Sequence, residues 1–254
     1  MKRTVWDHKW IRDGIRFLGT AAILAASFFA GRQAAVLVSG GDMGIAGEHE
    51  NRDPYEKMQK FCVVVDAGHG GKDPGKVGIN GALEEEINLD IAIRLSALLR
   101  QADVKTVMTR EDENGLYDES ASNKKVQDMK RRIALMEETD PDLVVSIHQN
   151  SYEQENVRGA QTFFYTGSVQ GQRLAETIQT RLVTGLDPAN HRTAKANNSY
   201  YLLKKTSKPI AIVECGFLSN PEEAELLADP LYQERVAWQI HMGILQYLHC
   251  NGSG

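Results

Sequence analysis

From Phe61 onward, hydrophobic and polar positions switch repeatedly between continuous apolar runs and a helical spacing. FCVVVDA is an unbroken apolar run into Asp66, the pattern of a strand buried on both faces, and a glycine-rich loop, GHGGKDPGKVGINGA, follows it. Between Glu84 and Arg100 the apolar residues Ile87, Ile91, Leu95, Leu98 and Leu99 recur on one helix face. VKTVMT (Val104 to Thr109) reads as a second strand, and Glu111 to Asn123 is polar and loop-like. A helix is expected from Val126 to Glu138, with Pro141 stopping it before the strand LVVSI, Leu143 to Ile147. AQTFFY (Ala160 to Tyr165) predicts a strand that leads to a helix from about Gln170 to Val183. Tyr200 to Leu203 reads as a short strand and IAIVECG, Ile210 to Gly216, as a buried one. Two helices close the pattern, Pro221 to Ala228 behind an Asn220 cap and Pro230 to Leu248. This alternation predicts a single α/β domain with a mostly parallel sheet covered by helices on both faces.

The segment before Phe61 has a different character. Lys2, Arg3, Lys9, Arg12 and Arg16 precede an apolar stretch from Phe17 to Gly31, the order of an export signal. That stretch is short of the roughly 20 residues a membrane-spanning helix needs. The apolar character resumes in AAVLVSGG beyond Arg32, and Phe28 spoils the A-x-A site that would end at Ala30. Residues 1–40 are therefore expected to be a signal peptide or an N-terminal membrane anchor, with the basic flank in the cytoplasm and the rest outside. Residues 41–56 are polar and glycine-rich and read as a linker, leaving 57–250 as the folded domain.

Composition narrows the function classes. A formal net charge of -5 over 254 residues argues against a nucleic-acid partner, which would call for a basic face. Three cysteines without a CxxC pair make neither a disulfide framework nor a thiolate zinc site, so Cys62 and Cys215 are expected to be buried free thiols.

In sheets of this kind, sites form where loops leave the carboxyl ends of strands. One strand ends in DAGHGG, with Asp66 and His69 at its tip, and another in SIHQNS, with His148 and Asn150. A third carries Glu214 inside the apolar run VECGF, where a carboxylate costs several kcal/mol unless paired or neutralised. Glu84 opens the helix after the first loop, followed by Glu85 and Glu86. Singly, each has a structural explanation: His69 as turn chemistry, His148 as a satisfied strand-end histidine, Glu84 as a favourable charge at a helix N-terminus. Together they suggest a hydrolytic zinc site. Catalytic zinc takes three protein ligands and lowers the pKa of its bound water from about 15.7 to about 7, and a further carboxylate then serves as base and acid. Spacing alone leaves the ligand open among the three glutamates. A phosphate cradle is disfavoured because the loop lacks GxGxxG spacing and a GK[ST] ending, and no GxSxG elbow exists.

VVVDAGHGGKDPG, LEEEINLDIA, MTR, DLVVSIHQNS and IAIVECGFLSNPEEAELL resemble, in order and spacing, the zinc-dependent N-acetylmuramoyl-L-alanine amidase family, amidase type 3. The resemblance spans Phe61 to Leu248 and implies a six-stranded sheet with flanking helices. It implies one Zn2+ per chain held by His69, Glu84 and His148, because the family pattern E-K-x-x-N-L aligns Asn88 and Leu89 with Glu84 as ligand. This chain has Glu85 where lysine is usual, which adds negative charge near the metal. The catalytic base falls on Glu214, and Asn150 and Arg192 are candidate contacts to substrate or to the ligands. Arg110, ending the TR motif, is either a structural ion-pair partner or a ligand contact. The implied reaction is hydrolysis of the peptidoglycan amide between the lactyl group of N-acetylmuramic acid and the stem-peptide L-alanine. With one catalytic domain, no internal repeat and no inserted helix in the Glu111 to Asn123 stretch, the chain is similar to the sporulation and germination amidases, which trim spore cortex so that muramic δ-lactam can form. Rival readings are a zinc peptidase acting on wall peptides and a non-catalytic wall-binding domain of the same fold.

Overall fold

The computed structural model describes residues 60–251, so the leader and linker expectations lie outside the described residues. Six strands form one sheet: β1 (Cys62–Ala67), β2 (Lys105–Met108), β3 (Leu143–Asn150), β4 (Gln161–Tyr165), β5 (Lys195–Asn197) and β6 (Ile210–Phe217). Six helices accompany them among the described residues: α1 (Glu84–Gln101), α2 (Lys124–Thr139), α3 (Val169–Gly185), α4 (Tyr201–Lys205), α5 (Pro221–Ala228) and α6 (Pro230–Asn251). The strand order is β2-β1-β3-β6-β4-β5. The first four strands in that order run parallel; β4 is antiparallel to β6, and β5 is parallel to β4. The expected mostly parallel α/β sheet is therefore observed.

Alternation along the strands divides the interior into two layers, because successive side chains point to opposite faces. Val63, Val65, Val145, Ile147 and Val213 face one layer, with Ile91 and Leu95 of α1, Ile178 of α3 and Ile240 of α6. Val64, Val144, Ile210 and Ile212 face the other, with Met136 of α2 and Leu202 and Leu203 of α4. Most of these side chains are fully removed from water, and each contributes roughly 1.5–3 kcal/mol by that burial. The β strands that carry the core therefore read as continuous apolar runs, as expected for strands covered on both faces.

Helix ends follow local chemistry. Asn123, Ser168 and Asn220 accept backbone N–H groups of Val126, Gly171 and Glu223 at the starts of α2, α3 and α5. The start of α1 has no side-chain cap, and its first turn carries Glu84, Glu85 and Glu86, which the helix dipole favours.

One element departs from the sequence pattern. Tyr200 to Leu203 is not a strand: the short helix α4 begins at Tyr201, and the edge strand is Lys195–Asn197 instead. A four-residue apolar run does not distinguish strand from helix, and the side chain of Asn197 decides it by accepting from the N–H groups of Ser199 and Tyr200 and turning the chain. The polar trio KAN carries no hydrophobic signal, since an edge strand buries little.

Candidate metal centre and active site

The chain runs from β1 through α1 to β2 on one side, then crosses to β3 on the other side of β1, so the β1–β3 boundary is a topological switch point. His69 follows the end of β1, and His148 lies near the end of β3. Glu84 comes back to the same place at the start of α1. One donor atom from each of His69, Glu84 and His148 lies within 4.8 Å of the others, a grouping that can hold a metal ion. Oε1 of Glu84 is 3.2 Å from Nε2 of His69 and 3.1 Å from Nδ1 of His148. The imidazole rings meet edge to face at 5.0 Å. Glu85, by contrast, is buried with Oε2 unpartnered among the described residues, and Glu86 is exposed. Burial raises the Glu85 carboxyl above its ordinary range, against the pull of Arg110.

Backbone geometry makes room for these groups. A β-carbon on Gly68 would stand 2.3 Å from Cε1 of His148, and one on Gly75 would stand 2.5 Å from Oε2 of Glu84. His69 itself adopts a positive φ of 63°, uncommon for a residue with a side chain. Three contacts hold it there. Nδ1 faces Asp73 at 3.2 Å, Nε2 faces Glu84, and its carbonyl accepts from Nη2 of Arg132. A carboxylate on the outer ring nitrogen is the usual device for presenting the inner one to a metal.

Beneath the histidines lies a buried polar frame. Asp66 accepts from Arg132 at 2.6 Å, Thr109 at 2.8 Å and Ser146 at 2.5 Å. Burial opposes its charge, but Arg132 and Ser146 outweigh that and hold the carboxyl below its usual range. Arg132, 1% exposed, also reaches Asp128 at 2.6 Å and the carbonyl of Ala67. Asn88 donates to the carbonyl of Gly68 at 3.1 Å and accepts from Gln149 at the same distance. Oε1 of Glu84 accepts from the Gln149 N–H at 3.1 Å and Oε2 from the Lys76 N–H at 2.7 Å. Burial works against ionising Glu84, yet the two histidines hold its carboxyl far below the ordinary value. His148 moves the opposite way: burial lowers it, but Glu84 and Glu214 raise it further.

Glu214 is the aligned partner of His148 across β3 and β6. Strand parity puts Ser146, His148, Ile212 and Glu214 on one face, the face covered by α2 and α4. Burial raises the Glu214 carboxyl, with Glu84 adding to it and His148 and Tyr200 opposing. A cavity of about 420 Å³ opens beside it, lined by His69, His148, Tyr117, Arg132, Tyr200 and Ile212 among others.

The remaining candidates lie at different distances from this centre. Asn150 closes β3, with Oδ1 accepting from the Ser151 N–H and its carbonyl from the Leu218 N–H, each at 2.8 Å. Arg192 stacks its guanidinium 4.8 Å above the Phe217 ring and donates to the Arg158 carbonyl and to Gln161, whose aligned partner is Glu214. It is not among the residues lining the cavity. Arg110 is buried and its guanidinium is spent on the carbonyls of Ala67, Gly68, Glu85 and Asp112. It braces the loop that carries His69 through backbone carbonyls, and not through a carboxylate.

Sequence reasoning passed over Asp73, Arg132 and Tyr200. Arg132 sits within KRRIAL on a helix whose charged residues are mostly solvated, and nothing local marks it as the buried one. Asp73 lies four residues after His69 in a loop, a spacing with meaning only once the loop's path is known.

The N-acetylmuramoyl-L-alanine amidase family profile matches residues 63–246. The germination-specific N-acetylmuramoyl-L-alanine amidase of Bacillus subtilis (strain 168) is 37% identical over 188 residues, which cover 73% of this chain and 78% of that protein. The CwlD amidase from Clostridioides difficile, solved in complex with the GerS lipoprotein, is 37% identical with a TM-score of 0.73, over 75% of this chain and 99% of that one. The amidase AmiC2 of Nostoc punctiforme is 34% identical with a TM-score of 0.65, over 74% and 97% of the two chains. With its switch-point histidines, its Glu84 bridge and this extent of similarity, the chain belongs to the N-acetylmuramoyl-L-alanine amidase family.

Proposed function

We propose that the chain hydrolyses the amide between the lactyl group of N-acetylmuramic acid and the stem-peptide L-alanine, with His69, Glu84 and His148 holding one zinc ion and Glu214 as general base. The observation that carries this reading is the convergence of two imidazoles on one carboxylate oxygen, with Glu214 aligned beside His148 on the same sheet face. The donor set suits the group: two nitrogens and a carboxylate oxygen are a catalytic zinc triad, and Asp73 orients the first imidazole from outside. When bound, zinc lowers the pKa of a coordinated water and polarises a carbonyl.

The chain's own residues do the rest. Glu214, its affinity for protons raised by burial, takes the proton of the attacking water and returns it to the departing alanine nitrogen. Asp66, Arg132, Asn88 and Gln149 keep the ligands in place, so that little reorganisation is needed during the reaction. The cavity beside His69 and His148 receives the substrate.

The biological setting is inferred from the relatives. The germination-specific relative supports a role in spore cortex maturation, with muramic δ-lactam formation downstream, and in germination. Action on peptidoglycan requires export across the cytoplasmic membrane, to the cell wall or the intermembrane space of the forespore, and the basic-then-apolar leader supplies the means as a cleaved signal or a retained anchor. Among the described residues no helix is long and apolar enough to cross a membrane. The C. difficile neighbour's complex with a lipoprotein supports a protein partner for this chain as well.

The test is digestion of purified sacculi with and without a chelator, with identification of the new ends. Free muramic lactyl ends that vanish on chelation and return with zinc are expected. Peptide-internal ends would replace this reading with a wall peptidase. Glu214→Ala is expected to keep about one zinc per chain while activity falls by about 10² or more.

A further inference from the structure

A base on a long side chain has an unsolved problem of aim. The β6 backbone places the Cα of Glu214, but the terminal torsion of a glutamate is broad and does not by itself set the carboxylate plane. In this site one neighbour supplies that constraint. Oη of Tyr200 donates to Oε1 of Glu214 at 3.1 Å. Oε2, also buried, has no hydrogen-bond partner among the described residues. We propose that Tyr200 is a positioning residue for the reaction: its hydroxyl engages Oε1 and so fixes the plane of the Glu214 carboxylate beside His148. The proposal rests on the reading of Glu214 as base.

Tyr200 is built to hold still. Its ring meets Phe163 edge to face at 5.5 Å, and Phe163 is the aligned partner of Ile212, two residues before Glu214 on the same face. Its N–H is taken by Oδ1 of Asn197 at 2.9 Å, and its carbonyl accepts from the Lys204 N–H at 3.3 Å as α4 begins. Leu202 and Leu203 bury the same short helix against the sheet. The phenol thus comes from an anchored element and not from a free loop tip, which is what holding a reacting group within about half an ångström demands. Tyr200 also lines the cavity with His69 and His148, beside the strand position that carries Glu214. Charge-assisted bonds of this kind are roughly twice as strong as neutral ones. Losing one frees the carboxylate to rotate away from the attacking water.

Tyr200→Phe keeps the ring on Phe163 and removes only the hydroxyl. With zinc-loaded enzyme on soluble peptidoglycan fragments, kcat is expected to fall about tenfold while KM stays within about twofold. Zinc content and thermal midpoint are expected to match the parent. An unchanged kcat overturns the proposal, and so does a loss confined to KM, which would make Tyr200 a substrate contact. A lowered kcat that returns to the parental value once zinc is replenished overturns it equally. Glu214→Ala, measured alongside, separates the two ideas. If that variant stays active, the base assignment and this proposal both fail; if it is nearly inactive while Tyr200→Phe is unaffected, only the positioning role fails.

Discussion

Arg132 reaches across from α2 to place Nη1 2.6 Å from Oδ1 of Asp66, and its Nη2 donates to the backbone carbonyl of His69. One buried guanidinium therefore ties a strand-end carboxylate, a helix and a candidate metal ligand together. The two side chains are 1% and 0% exposed, so neither charge has water to fall back on.

Removing one partner should be costly. Arg132→Met leaves Asp66 buried without its main counter-charge, and a loss of about 3–5 kcal/mol in unfolding free energy is expected. Zinc affinity should fall too, because the positive φ of His69 loses the contact to its carbonyl. Urea unfolding and a zinc titration measure both effects. A variant within experimental error of the parent in both would show that the pair supports neither the fold nor the ligand.

The same pair sets an acid limit. Despite burial, Arg132 and Ser146 hold the Asp66 carboxyl below its ordinary value. A folded-state pKa below the unfolded value of about 3.9 gives stability that is complete above that value. It is lost as pH falls through the depressed folded value. In chelator, the gap in urea midpoint between the parent and Asp66→Asn should stay constant from about pH 7 to about pH 5 and narrow below about pH 4. A gap independent of pH would remove Asp66 as its source.

Gly68→Ala tests how tightly the ligand loop packs. The new β-carbon would stand 2.3 Å from Cε1 and 2.5 Å from Nε2 of His148, so the ring has to move. Zinc affinity is expected to drop and activity to fall about 10²-fold, the usual consequence of a misplacement near 1 Å. Unaltered zinc binding would mean that the imidazole finds another productive position.

The three cysteines are free; Cys215 is buried, Cys250 is exposed, and Cys62 is half-buried where full burial was expected. Burial pushes both the Cys62 and Cys215 thiols above their ordinary value. Titration with a thiol reagent should therefore label Cys250 rapidly, Cys62 slowly, and Cys215 only on unfolding. Rapid labelling of Cys215 would argue for frequent opening of the layer between the sheet and its helices.

Much of the architecture was legible because it rests on local rules. Ile87, Ile91, Leu95 and Leu99 announce α1, and the run Val63 to Val65 announces β1, since burial on one helix face or both sheet faces leaves a periodic mark. Asn220 and Pro221 mark the start of α5 for reasons contained in their own side chains. The Lys195–Asn197 edge strand leaves no apolar mark because it buries little, and the four-residue run Tyr200 to Leu203 is too short for its period to separate strand from helix.

The candidate site divides in the same way. Glu214 stands out in the linear chain because a carboxylate inside an apolar run is costly unless paired, and His69, Glu84 and His148 stand out beside it through the motifs that carry them. Their mutual distances, the placement of Glu84 Oε1 between two imidazoles, and the separate fates of Glu85 and Glu86 depend on how β1, β3 and α1 meet. Asp73, Arg132 and Tyr200 belong wholly to that second category. Sequence by itself determined most of the strands and helices, the short elements around Lys195–Lys205 excepted, and which residues were too polar for their surroundings, since both follow from period and burial along the chain. Tertiary structure alone decided which of those residues share a face, which charges are paired, and which oxygen of Glu214 is left free, because those are distances between segments far apart in sequence.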